Sequence, residues 1–484
     1  MAGGSVESGE DKVDIQLDGQ SLMVPETNNR TRGLHVLVLE QNTGAVLARR
    51  RFDTVLSAVH EEAVRFLDAV RPGRLLVLAT KGAGEALGES FSPAPAHGEF
   101  GGPLFLRVDL RPDTLPPTPP CQWADSEESR RRHAFCDKFE GYPGVCRCLQ
   151  PHPVLPAPSA LDENIDSIYV AVMATHRPYY LYRSLRSLAF AQGVQPGNVV
   201  VYLENDKHPE LEALVALFGF QSRYVAAKSS TKINFVISNR IMDILNDAFT
   251  AFMEAEFVMF IEEDLECSPD IFRYFGQAQQ ILREDPSVFS VSAFNLHSFA
   301  NTSHATNAAY RVDNFTGLGF LLPRKTYEHE AKPLWLEYAW KSEFDLFMDK
   351  KVKKDREVIV PDVNRVYHIG RDSHYINTNV YDMLFKNLSV NPDPTSQLHD
   401  VTRLYKLNYE EDLKVTLKRG VTIRDYGDIC NAGNMTFNFQ NQCWGLGFTS
   451  TAGHHGGLWR FWLENKKGFL FHMVFIGVPF SRYS

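Results

Sequence analysis

Residues 256–270, "EFVMFIEEDLECSPD", pass from an apolar run straight into three consecutive carboxylates, Glu262, Glu263 and Asp264. The run reads as a buried strand, and like charges crowded at its end repel unless something positive stands close. The plain alternative is a solvated strand end or the first turn of a helix, where carboxylates suit the positive end of the dipole. The neighbouring sequence decides between them.

From residue 168 strand and helix alternate. "IYVAVMA" is a near-continuous apolar strand, as a parallel sheet covered on both faces requires. "YYLYRSLRSLAFAQG" carries Leu181, Leu185 and Leu188 on one helical face. "NVVVYLE" is the next strand, and "PELEALVALFGF" the next helix, with Leu211, Leu214, Val215 and Phe218 on its apolar face. A third helix, with Ile241, Leu245, Ala248 and Phe252, leads into the acidic stretch. The pattern predicts βαβαβ, one half of a doubly wound sheet with right-handed crossovers. In such sheets ligands bind beyond the carboxyl ends of the strands, where the acidic cluster falls.

No G-x-G-x-x-G follows the first strand and no G-x-x-x-x-G-K-[ST] occurs, so neither a dinucleotide fold nor a P-loop is supported. A diphosphate bound without a glycine cradle needs another counter-charge. A divalent cation on an acidic strand end supplies it, and oxygen ligands suit Mn²⁺ or Mg²⁺. Nucleotide-sugar transferases are arranged in this way.

Upstream, residues 35–52 alternate around an Asn-Thr-Gly turn and predict a hairpin. A helix follows with Val59, Ala63, Phe66 and Val70 in register, and "GRLLVLAT" reads as a buried strand. This small α/β module ends near residue 110. Two proline-rich stretches, "RPDTLPPTPP" and "QPHPVLPAPSALDENID", then flank a segment holding Cys121, Cys136, Cys146 and Cys148. "CRC" is not a redox C-x-x-C pair, and no histidine spacing completes a zinc site. At least one disulfide in an oxidising compartment is expected, with connectivity open. Sequons at Asn29, Asn301, Asn314, Asn387 and Asn434 are compatible with secretory passage.

The chain has 484 residues, 44% of them hydrophobic and 23% charged, with a net charge of -9. That balance fits two to four globular domains and argues against a nucleic-acid binder, since no Lys/Arg stripe interleaves with aromatics. Arg130, Arg131 and Arg132 read as a solvated helix face. The first twenty residues lack the basic and apolar regions of a signal peptide, so any targeting or anchoring segment is expected outside this sequence. "GFLFHMVFIGVPF", residues 468–480, is too short and interrupted to span a bilayer and reads as a core strand.

"VMATHRPYYLYRSLRSL", "FIEEDLE", "SAFN", "YRVDNFTGLGFLLPR", "VIVPDVNRVYHIG" and the closing "GGLWRFW…GVPFSRYS" resemble the protein O-linked-mannose β-1,2-N-acetylglucosaminyltransferases. The N-glycan β-1,2-N-acetylglucosaminyltransferase I family is similar at greater distance. The resemblance implies an α/β, Rossmann-like GT-A domain over residues 166–484. It implies an ILEI/PANDER-like stem over 12–110 and a Pro-rich, cysteine-bearing connector over 111–165. It further implies inverting transfer of GlcNAc from UDP-GlcNAc to O2 of mannose on O-mannosyl glycoproteins, in the Golgi, with Mn²⁺ as cofactor. Residue by residue, Asp264 matches the metal ligand and Asp345 the catalytic base, with Glu343 its local competitor. Arg177, Glu204, Arg240, Glu262 and Glu263 match donor-contacting positions, and His368 lies near the donor site.

The chain departs from the family at several of these positions. Glu204 stands where the family has Asp, Arg240 where it has His, and Phe294 and Leu296 replace a Trp and an Asp. Phe344 replaces a Trp beside the base. Two other readings stay open: action on N-glycan mannose, and a carbohydrate-binding protein on a degenerate transferase fold. UDP release in the presence and absence of Mn²⁺ separates the binder from the enzymes.

Overall fold

The computed structural model describes residues 2–4, 6–7, 10–11, 14–17, 20–21, 33–40, 43–52, 57–71, 73–81, 104–106, 121–155, 168–204, 208–226, 233–338, 343–371, 381–382, 384–419, 455–464, 470–476 and 481–483. The chain forms two compact units, Met1–Val154 and Leu155–Ser484.

In the first unit, strand Gly33–Glu40 pairs antiparallel with Val46–Phe52 on one side and Arg74–Lys81 on the other. The hairpin closes through Glu40 N–H to the Ala45 carbonyl at 2.8 Å, and Gly44 supplies the positive φ of 70° that the turn needs. Helix Ser57–Asp68 lays Ala63 and Phe66 on Leu34, Val36 and Val38. The last strand departs from its sequence reading as buried. Leu75, Val77 and Ala79 pack on Leu37 and Leu39, whereas Leu76 and Leu78 are 41% and 47% exposed, because the strand is the sheet's edge.

The cysteine segment belongs to this unit and carries two disulfides, Cys121–Cys148 and Cys136–Cys146. Closing such loops stabilises by about 2–4 kcal/mol each. Glu140, buried, receives Arg71 Nε at 2.7 Å and Arg74 Nε at 2.8 Å, and its N–H donates to the Leu47 carbonyl at 3.0 Å. The segment is therefore fastened to the three-stranded sheet. Arg132 is not solvated: its guanidinium is buried, donating to the Val145 and His152 carbonyls at 3.0 and 2.7 Å over the Trp123 ring.

The second unit is built on β1 (Ile168–Met173), α1 (Pro178–Ala189), β2 (Val199–Glu204), α2 (Pro209–Phe218), β3 (Gln221–Val225), α3 (Ile233–Ala251) and β4 (Phe257–Glu262). There follow β5 (Leu265–Cys267), α4 (Ile271–Glu284), β6 (Val288–Ser292), β7 (Ala309–Val312), β8 (Phe320–Pro323), α5 (Glu343–Met348), β9 (Glu357–Pro361), β10 (Val366–His368) and α6 (Lys406–Arg419). Eight strands make one mixed sheet in the order β3-β2-β1-β4-β8-β6-β9-β7. β3, β2, β1 and β4 run parallel, β8 is antiparallel to β4 and β6, and β9 is parallel to β6. The α/β, GT-A fold expected of this region is what the chain adopts.

Apolar runs that read as strands are buried on both faces: β1, β2 and β4 hold Val170, Val172, Val201, Val258 and Ile261 at 0% exposure. Each such side chain contributes about 1.5–3 kcal/mol by leaving water. The run at 468–480 yields a correction. Among the described residues, Leu470–Ile476 pairs only with Leu458–Glu464 in a two-stranded sheet, and His472, Met473 and Val474 are half-buried. Among the described residues, no helix is long and apolar enough to cross a membrane.

Candidate active site

β1 and β4 are in register, with Met173 opposite Glu262, so the residues just past β1 face those just past β4. Thr175 N–H donates to Glu263 Oε2 at 2.6 Å, and the Thr175 hydroxyl bonds Oε1 of the same carboxylate. Two residues on, Arg177 precedes Pro178, the first residue of α1. Its Nε donates to Glu263 Oε1 at 2.6 Å and its terminal nitrogen to Asp264 Oδ2 at 2.8 Å. The positive partner that the acidic cluster demands is thus Arg177. Burial opposes the charge on Arg177, but Glu263 and Asp264 outweigh it and raise its pKa above the ordinary value.

Glu263 and Asp264 are 1% and 2% exposed, so their charges are held by these contacts and not by water. Glu263 uses both its oxygens on Thr175 and Arg177. Asp264 does not: Oδ2 faces Arg177 and, at 3.5 Å, His368 Nε2, while Oδ1 is buried without a hydrogen bond. Burial works to neutralise the Asp264 carboxyl, yet Arg177 and then His368 prevail and hold it below the usual carboxylate range. Burial lowers the His368 pKa, with Asp264 pulling the other way, and its Nδ1 has no hydrogen bond among the described residues.

The backbone is shaped around this carboxylate. β5 and β10 pair with Leu265 opposite His368, and Ile369 N–H donates to the Asp264 carbonyl at 2.8 Å. A Cβ on Gly370 would lie 2.4 Å from Asp264 Oδ2, so only glycine admits the side chain. A carboxylate oxygen with no hydrogen bond among the described residues fits a hard divalent cation, which would satisfy it.

On the neighbouring strand, Glu204 ends β2 and is 7% exposed. Arg240 of α3 forms an ion pair with it, and His176 Nε2 stands 3.0 Å from its other oxygen. Burial lowers the Arg240 pKa, with Glu263 pulling the other way. The structure therefore brings Arg177, Glu204, Arg240, Glu262, Glu263 and Asp264 to the carboxyl end of β1, β2 and β4. Phe294 is buried, 6.0 Å from the Phe385 ring, and Leu296 is half-buried.

Asp345 lies in α5, where the following Leu346 and Phe347 are fully buried; its side chain, with those of Glu343 and Phe344, lies outside the described residues. Two residues of the site went unread in the sequence. Thr175 carries no pattern of its own, and Gly370, the last letter of "YHIG", was a legible glycine whose reason is the Asp264 carboxylate.

A second acidic group lies at the other end of the sheet. Among the described residues, Asp313, Glu357 and His455 could hold a metal ion together. Glu357 opens β9, so this group sits at the amino end of the strands that carry Asp264 at their carboxyl end. The charge of its Glu357 is already answered. Arg311, fully buried, donates to Glu357 at 2.6 Å and Asp285 at 2.9 Å, and Lys406 and Arg482 stand 3.5 and 3.7 Å from Glu357.

A sheet of this topology, with a buried acidic pair and an arginine at the carboxyl end of its central strand, defines a nucleotide-sugar-transferase fold of the GT-A class. Residues 156–431 match the GNT-I family, and the chain belongs to that family. Residues 32–94 match the Interleukin-like EMT inducer family. The chain is 34% identical over 113 residues to the Alpha-1,3-mannosyl-glycoprotein 2-beta-N-acetylglucosaminyltransferase of Arabidopsis thaliana, a match covering 23% of this chain and 24% of that relative. Among solved structures it is similar to TarS of S. aureus, with a TM-score of 0.28, 13% identity and coverage of 42% of this chain and 60% of the other. It is also similar to glucosyl-3-phosphoglycerate synthase of Mycobacterium tuberculosis, solved with Mn²⁺, UDP-glucose and phosphoglyceric acid. There the TM-score is 0.27 and the identity 12%, covering 43% and 72% of the two chains.

Proposed function

We propose that this chain is an inverting β-1,2-N-acetylglucosaminyltransferase that moves GlcNAc from UDP-GlcNAc to O2 of a mannose, with O-mannosyl glycoproteins as acceptors. The observation that carries the reading is Asp264 Oδ1, a buried oxygen of an ionised carboxylate with no hydrogen bond among the described residues, just past β4. Asp264 would hold the divalent cation; its oxygen ligand suits Mn²⁺ or Mg²⁺, and the family resemblance implies Mn²⁺. When bound, that ion neutralises charge gathering on the departing UDP. Arg177 holds Glu263 and Asp264 in place and keeps Asp264 ionised. Glu262, Glu204 and Arg240 line the donor side and orient sugar and nucleotide. Asp345 takes the proton from the mannose O2 hydroxyl as the new bond to C1 of GlcNAc forms and the bond to the UDP oxygen breaks.

Residues 12–110 would serve as a stem, 111–165 as a connector and 166–484 as the catalytic domain, working in the Golgi lumen. The two disulfides support an oxidising compartment, and the O-mannose acceptor is preferred over N-glycan mannose because the stem and connector resemble those of the O-mannose branch. A second reading, a carbohydrate binder without turnover, draws on Arg240 closing upon Glu204, which leaves that carboxylate less free for a nucleotide. UDP release from UDP-GlcNAc with an O-mannosyl peptide, with and without Mn²⁺, tests the proposal. Release only with both metal and peptide supports it; donor binding without release on any mannoside offered favours the binder.

A further inference from the structure

Three of the five sequons fall on described residues, and the fold treats them differently. Asn301 opens a turn in which Thr302 and Ser303 N–H both donate to the Phe299 carbonyl, at 2.9 and 3.0 Å. Asn387 lies in another turn, and its carbonyl accepts from Ala300 N–H at 3.0 Å. An isolated antiparallel bridge, Phe299 to Leu388, holds the two turns together. Both asparagine side chains are exposed, and neither amide has a hydrogen bond among the described residues. The residues beneath them are anchored: Leu388 is 7% exposed, and Trp462 N–H donates to the Thr302 carbonyl at 2.8 Å.

Asn314 is placed otherwise. Its side chain is half-buried, and it follows Asp313 of the charged group at the amino end of the sheet. Phe315 after it is 2% exposed, its ring centroid 5.1 Å from that of Phe320 and 5.3 Å from that of Phe347. The Thr316 hydroxyl donates to Ser292 Oγ at 2.6 Å, inside the sheet. A bulky hydrophilic group on Asn314 would have to draw this segment out of the core. On Asn301 or Asn387 it would extend into water at no cost to packing.

We propose that Asn301 and Asn387 carry N-linked oligosaccharides, side by side on one rim of the second unit, and that Asn314 carries none. The side-chain amide nitrogen of each asparagine bonds to C1 of the first GlcNAc of a lipid-diphosphate-linked oligosaccharide. The sugar–phosphate bond breaks, the lipid diphosphate leaves, and the amide proton passes to the base of the transferring enzyme. This inference rests on the secretory part of the reading above and not on the transfer chemistry.

The test is site mapping of the full chain expressed with a cleavable secretion signal in animal cells. Glycopeptides are released with peptide N-glycosidase in heavy-oxygen water, so each formerly occupied Asn becomes labelled Asp. Label is expected at residues 301 and 387 and not at 314. Asn301→Gln and Asn387→Gln should each remove one glycan, and Ser303→Ala and Ser389→Ala should do the same with the asparagines intact. UDP binding is measured on the same material and should be unchanged. Unlabelled Asn301 and Asn387 peptides, in protein whose Cys121–Cys148 and Cys136–Cys146 disulfides have formed, would overturn the proposal while leaving the compartment standing. A labelled Asn314 would overturn its structural basis.

Discussion

The two ends of the large sheet hold buried acidic groups of similar composition, and they differ in how completely their charge is answered. At the amino end, Asp285 and Glu357 are bound by Arg311, whose terminal nitrogens also donate to the Leu404 carbonyl at 2.7 Å and Ser287 Oγ at 2.6 Å. Lys406 and Arg482 add further positive charge. At the carboxyl end one arginine serves two carboxylates, and Asp264 Oδ1 is left over. A buried charge that has found all its partners is structural. One with an oxygen to spare, beside a glycine that must stay glycine, is a place for something from outside the chain.

That contrast predicts different costs for damage. The largest concerns rate: Asp345→Asn should lower turnover by about 10²- to 10⁴-fold, the usual cost of a lost general base, while UDP-GlcNAc binds as before. Steady-state kinetics paired with calorimetry checks this, and normal turnover would move suspicion to Glu343.

Next is stability at the amino end. Arg311→Met leaves Asp285 and Glu357 buried without their guanidinium, and breaking a buried pair costs about 3–5 kcal/mol. Chemical denaturation should show that loss, while UDP affinity of the folded fraction stays unchanged. A loss of affinity instead would mean that the two ends are not independent.

A smaller effect is set by pH. Burial, with Arg460 alongside, pushes His472 down to about 4. Arg460 Nε donates to its Nε2 at 3.3 Å, so the folded ring is neutral. In the unfolded chain the same ring binds a proton near the ordinary histidine value of about 6.5. The unfolded state therefore holds more protons in this window, and stability falls as pH drops from about 6.5 toward 4. Melting temperatures at pH 7.5 and pH 5 should reveal the decline, and His472→Gln should flatten it. Asp264 acts lower on the scale: its depressed pKa contributes stability above the ordinary carboxylate range that is lost as pH falls through the folded value.

The most local effect belongs to the first unit. Reducing Cys121–Cys148 and Cys136–Cys146 should loosen the segment around Glu140 but leave the three-stranded sheet folded, since its core of Val36, Val38 and Phe66 holds no cysteine. Amide exchange with and without reductant checks this.

What could be read ahead of the structure follows from the kind of signal each residue emits. β1, β2 and β4 announce themselves because burial on both faces leaves no charged letters in them before Glu204 and Glu262. β3, "QSRYV", is an edge strand with four exposed residues, and its sequence looks like a loop. The antiparallel insertion of β8 between β4 and β6 is a matter of long-range pairing, and no local pattern encodes it. The acidic triplet was legible as a site once the alternating elements placed it at a strand end, and resemblance supplied Arg177 and Asp345. Buried arginines were not legible. Arg132 and Arg311 look like any surface arginine, because their partners, His152 or Glu357, come from elsewhere in the chain.

The most direct test sets the two ends of the sheet against each other. Calorimetry with UDP and Mn²⁺ is run on the wild type, on Asp264→Ala and on Asp313→Ala. The account predicts Mn²⁺-dependent UDP binding in the wild type and in Asp313→Ala, and its loss in Asp264→Ala. Unchanged binding in Asp264→Ala, or binding abolished only in Asp313→Ala, would contradict it and move the metal to the amino end.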